Sequence, residues 1–94
     1  MSSNLILGES ADEICQALVG LDLAVRADGT STLKGAVEPG GPLVRALMRA
    51  EAELLVADAL AMRVGTYLDR TPAQRRHDAL MLVMHRVREL GRAA

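Results

Sequence analysis

Two carboxylates and two imidazoles, Glu51, Asp58, His77 and His85, are the residues of this 94-residue chain whose types could do chemistry. Groups of this kind ligate divalent metals or pass protons between an acid and a base. Their spacing argues against both. Helical bundles that hold two metals use a Glu-x-x-His signature, and the chain has none. His77 and His85 stand eight residues apart, not the four that place two imidazoles on one helix face in zinc enzymes. His85 and Glu89 are four apart, a spacing common on solvated helices. No metal and no other cofactor is therefore expected, and no catalytic residue is assigned. A metal-dependent enzyme built on these four residues is the weakest of three functional readings.

Other chemistry is thinner still. Gly40-Gly41 precedes a helix, as phosphate-binding glycines do, but neither Gly-x-x-x-x-Gly-Lys nor Gly-x-Gly-x-x-Gly occurs. Ser2, Ser3, Ser10 and Ser31 lie in no nucleophile context. Cys15 is the only cysteine, so no internal disulfide can form. Between Ile14 and Ala17 it reads as a small core residue.

The elements that must position these groups follow from local signals. Residues 1–8 read as a flexible or extended start. Ser10 caps a helix over 9–20, with Glu13 three residues on and Gly20 at its end. A β-hairpin is expected over 22–38, where Leu23, Val25 and Ala27 alternate with polar neighbours and Asp28-Gly29 marks the turn. Glu38-Pro39-Gly40-Gly41-Pro42 ends it and opens a long helix over 42–68. Thr71, Pro72 and Gln74 then write a helix start in full, a capping box with proline at the first helical position. This last helix runs over 71–90. The short connection folds the two long helices into an antiparallel pair. The expected fold is α+β and mainly helical: N-terminal helix, β-hairpin, then two long antiparallel helices in one domain. No repeat is present, nor a heptad run long enough for an extended coiled coil.

A helical wheel places Glu51 and Asp58 inside an apolar arc formed by Leu43, Val44, Leu47, Met48, Leu54, Leu55 and Met62, with Glu53 on the opposite, polar face. Buried carboxylates need partners. Folding the last helix back brings Glu51 level with Arg88, and Asp58 within a turn of His77 or His85. A Glu51–Arg88 pair and an Asp58–histidine contact are expected, as structural ties rather than chemistry.

Composition bounds the partners. Half the chain is apolar, yet Phe and Trp are absent and Tyr67 is the only aromatic residue. Leu, Val, Ala and five Met must build a small core, and the surplus aliphatic surface points to a homodimer. The net charge of −1 gives no global basic field. It is divided unevenly, from −4 over residues 1–40 to +3 over residues 69–94. Arg75, Arg76 and Arg86 point outward on the wheel and are the candidates for phosphate contacts. Residues 1–8 lack the features of a signal peptide and no apolar run is long enough to span a bilayer, so a cytoplasmic protein without membrane contact is expected. The leading reading is a small non-catalytic interaction or regulatory module, homodimeric and with a further protein partner that the sequence does not identify. The alternative is a nucleic-acid-binding accessory protein using the Arg-rich last helix.

Asp28-Gly29, Leu33, Gly35, Glu38-Pro39, Gly41, Ala46-Leu47 and, above all, Arg70-Thr71-Pro72-Ala73-Gln74-Arg75-Arg76 with Asp78-Ala79-Leu80 carry a resemblance. From about Leu23 to Leu90 the chain resembles the end of a domain of unknown function in actinobacterial repeat proteins that precedes HNH endonuclease modules. His77 replaces the small residue expected there. The resemblance implies a strand pair, a glycine-proline bend and two helices, and an accessory role near DNA. It carries no nuclease activity over, because the His-Asn-His module and its zinc-binding cysteine pairs are absent.

Overall fold

The computed structural model describes residues 10–65 and 70–93. Within them the order is α1 (Ala11–Val19), β1 (Asp22–Val25), β2 (Ser31–Lys34), α2 (Pro42–Arg63) and α3 (Pro72–Ala93). The fold is α+β and mainly helical, in the expected order. The expected extended start and the turn near Asp69 lie outside the described residues.

Local chemistry sets most of the element ends. Ser10 Oγ accepts the Glu13 amide at 3.4 Å and starts α1. The strands pair antiparallel with Leu23 opposite Leu33 and Asp22 opposite Lys34. Arg26 and Thr30 close the hairpin over three residues, and the Arg26 amide donates to the Thr30 carbonyl at 2.8 Å. Gly29 takes φ +82°, the left-handed residue that such a loop requires. Asp28 Oδ1 accepts from both the amide and the hydroxyl of Thr30, and that hydroxyl holds the Asp28 carboxyl below the ordinary carboxylate value. The strands are shorter than the expected 22–38, because residues 35–41 form an irregular bend. α2 ends at Arg63 rather than near 68. Gly65 follows at φ +85°, and its amide reaches back to the Met62 carbonyl at 3.1 Å, which closes the helix.

α3 begins with the capping box written at its start. The Gln74 amide donates to Thr71 Oγ1 at 3.1 Å, and Gln74 Oε1 accepts the Thr71 amide at 3.0 Å. Gln74 has a second task. Its Nε2 donates to the Asp28 carbonyl at 3.0 Å, so the helix start also pins the hairpin turn.

The core joins α1, α2 and α3. Ile14, Leu43, Ala46, Ala50, Ala79, Val83 and Val87 form one buried cluster, with Leu18, Leu21, Leu47 and Leu54 packed partly against it. β1 is exposed throughout while β2 is half-buried. The hairpin thus rests on the helices through one strand, as a two-stranded ribbon must. Cys15 is exposed, not a core residue. In α1 only Ile14 is fully inside, and the next residue lies a wheel step of about 100° away. No helix among the described residues is long and apolar enough to cross a membrane.

Candidate functional site

Charged side chains organise the contact between α2 and α3, though not in the expected pairs. Asp58, only 14% exposed, lies between two guanidinium groups. Arg75 Nε donates to Asp58 Oδ2 at 3.3 Å. Arg70 Nη2 stands 3.5 Å from Asp58 Oδ1, a charge contact without hydrogen-bond alignment, since Oδ1 accepts no hydrogen bond. Arg70 Nε also approaches Asp78 Oδ2 at 3.4 Å. The Asp58–histidine contact is not formed. Arginines in the loop and first turns of α3 reach the carboxylate instead.

Farther along the pair, Arg86 grips Glu53 with both terminal nitrogens. Nη1 donates to Oε2 at 2.8 Å and Nη2 to Oε1 at 2.9 Å. This two-pronged geometry is the strong form of the ion pair. The Arg86 hydrogen bonds hold the Glu53 carboxyl below its ordinary value, against a smaller opposing effect of burial. The expected Glu51–Arg88 pair is not formed, and Arg88 is exposed. Glu53–Arg86 lies at the same level of the antiparallel pair that Glu51–Arg88 would have occupied. The level follows the fold, while the face differs by about 200° of helix rotation. The reason is the width of the apolar arc. Val44, Met48, Leu55 and Met62 pull it toward Glu51, yet the buried stripe is narrow and runs through Leu43, Ala46 and Ala50. Glu53 and Asp58 border that stripe on its two sides.

These pairs change the standing of the outward arginines. Arg75 and Arg86 are both engaged with carboxylates, at 16% and 19% side-chain exposure. Of the three candidates for phosphate contacts only Arg76 is exposed. The wheel misplaced Arg75 and Arg86 because it could not register carboxylates reaching across from α2.

Glu51 and His77 both line a cleft of about 300 Å³ between the hairpin and the long helices. Asp58 and His85 do not line it, and His85 is exposed. Among the described residues, no group of three or more His, Cys, Asp or Glu side chains stands close enough to hold a metal ion. Arg26 also lines the cleft, a residue that sequence reasoning passed over. Nothing near Arg26 in the sequence signals a site, because the hairpin alone brings it there.

The outer side of α2 is the other feature. From Glu51 to Arg63 no residue is buried. Met48 is 65% exposed, Leu60 54% and Met62 61%, and Leu55 and Val56 are exposed beside them. Comparison with known proteins gives no match: no protein family, curated protein or solved structure corresponds to the chain.

Proposed function

We propose that the protein is a non-catalytic interaction module, located in the cytoplasm, that pairs with a second copy of itself through the outer side of α2. One observation carries this reading: Met48, Leu55 and Met62 are left in water on one stripe of that side, within about 40° of one another on the helical wheel. A contiguous apolar surface on a small protein marks an interaction site.

The pattern of that surface favours a second copy. Met48, Ala52, Leu55, Ala59 and Met62 follow the alternating four-three spacing along which two helices pack. Large and small residues alternate, so the Met and Leu knobs of one copy fill the shallow positions above Ala52 and Ala59 of the other. A surface that contains both its own knobs and its own holes is self-complementary, as a two-fold interface demands. The likeness of Arg70–Leu80 to the domain that precedes HNH modules fits such an accessory, non-catalytic part.

Sedimentation velocity at micromolar concentration tests the reading. The protein is expected to sediment as a dimer. Leu55→Glu combined with Met62→Glu is expected to give a monomer with unchanged helical circular dichroism. A monomeric unmodified protein overturns the proposal.

A further inference from the structure

The cleft between the hairpin and the long helices holds charges that do not neutralise one another. Arg26, Glu51, Arg76 and His77 all line it. Neither Arg26, Arg76 nor Glu51 takes part in an ion pair among the described residues. Opposite charges sharing a small cleft ordinarily collapse onto each other, as Glu53 and Arg86 do on the far side of α2.

Here no ion pair forms between them. Arg26 is fixed by two neutral hydroxyls, with Nε donating to Thr30 Oγ1 at 2.8 Å and Nη1 to Thr32 Oγ1 at 2.7 Å. The Asp28 carboxylate, bonded to the same Thr30 hydroxyl, offsets part of its charge without forming an ion pair with it. Glu51 rises from α2 and Arg76 from α3, each anchored on its own helix. Nδ1 of His77, on the same wall, is buried and has no hydrogen-bond partner. Polar groups are therefore uncompensated beneath the cleft surface as well as at it, and each such group invites an explanation. Leu47 and Leu80 supply an apolar floor. The volume of about 300 Å³ stands at the lower end for small-molecule sites.

We infer that this cleft binds a small zwitterion, an α-amino carboxylate with a short aliphatic side chain. The carboxylate sits with the Arg26 and Arg76 guanidinium groups, which suit its planar, two-oxygen geometry. The ammonium group sits with Glu51, and the aliphatic chain lies on Leu47 and Leu80. The lining holds two cations against one carboxylate, with Asp28 acting on Arg26 from outside it, so the ligand's carboxylate supplies the larger share of the binding.

L-leucine is the probe, with 4-methylpentanoate lacking the amine and 3-methylbutylamine lacking the carboxylate. Binding is read from amide and imidazole NMR shifts of the full chain. L-leucine is expected to produce saturable shifts at His77, Arg76 and Glu51 at roughly millimolar concentration. 3-Methylbutylamine should bind at least about tenfold more weakly, a difference of about 1.4 kcal/mol. Arg76→Gln should weaken L-leucine by about tenfold. Glu51→Gln should weaken L-leucine and leave 4-methylpentanoate unchanged, which separates loss of the amine contact from loss of the fold. Neither residue holds an ion pair, so thermal melts of both variants should match the parent. Absence of saturable shifts up to roughly 10 mM L-leucine overturns the proposal, and so does binding that both variants leave intact.

Discussion

α2 and α3 are both 22 residues long and lie against each other, yet they meet water differently. α3 buries Ala79, Leu80, Val83 and Val87 and exposes no large apolar side chain among its described residues. α2 buries Leu43, Ala46 and Ala50, all in its first half, and leaves five large apolar side chains outside. The contrast lies in the distribution of apolar residues rather than in their supply. α3 gathers them on a stripe that α1 and α2 cover. α2 spreads them round its circumference, and α1 and α3 together cover only part of that. An amphipathic helix is finished by its own chain, and a helix apolar on two sides is finished only by something else.

The largest test of this contrast compares truncations on the two helices. Leu80→Ala should destabilise the protein by about 2–5 kcal/mol, because it opens a cavity in the core. Leu60→Ala should change the unfolding free energy by less than about 0.5 kcal/mol when measured below the association midpoint. Urea titration of both variants checks this. Equal losses would show that the outer side of α2 is covered within its own chain.

The next effect concerns the end where the helices are tied by charge. Asp58→Ala removes the carboxylate between Arg70 and Arg75 and leaves both part-buried guanidinium groups without it. A loss of about 1–3 kcal/mol is expected by chemical denaturation. Asp58→Asn should lose less, since the amide oxygen still accepts from Arg75. If the alanine variant is as stable as the parent, the tie is only incidental to the packing.

Gln74 sharpens the comparison at the start of α3. Gln74→Ala should cost about 1–2 kcal/mol, through the lost capping box and the lost tie to the hairpin turn. Gln74→Glu can keep the box but cannot donate to the Asp28 carbonyl. It should therefore retain the helix and loosen the hairpin, read as faster amide exchange at Arg26 and Gly29. Unchanged exchange there would mean that β2 alone secures the ribbon.

The smallest effect is electrostatic. Glu53 is 41% exposed, so solvent screens its pair with Arg86, and Glu53→Gln should cost less than about 1 kcal/mol. Its pH dependence is directional. The folded carboxyl titrates below its ordinary value of 4.5. The pair's contribution is complete above that value and is lost as pH falls through the lower, folded value. The stability gap between parent and variant should hold from neutral pH to about 4.5 and close in stronger acid. A gap independent of pH would assign the loss to packing.

Much of the fold was legible because its punctuation is local. Ser10, Asp28-Gly29 and the Thr71–Gln74 box each act within a few residues, and each makes the bond its residue type allows. The antiparallel level of the two long helices was legible too, since a short connection fixes it. The site was not. The helical wheel pairs Glu51 with Arg88 and Asp58 with a histidine, because it weights Met48, Leu55 and Met62 as if they were buried. Arg26 went unnoticed because its place beside Glu51 and Arg76 is a long-range fact of how the hairpin sits.

The sequence by itself determined where each helix and turn begins, because capping hydroxyls, proline and left-handed glycine act on the backbone beside them. Only the tertiary structure decided which stripe of α2 faces inward, which arginine meets which carboxylate, and which charges share the cleft. Hydrophobic burial is non-directional. A helix apolar on more than one side has no preferred rotation until its neighbours are in place, and a long guanidinium side chain takes whichever carboxylate that rotation presents.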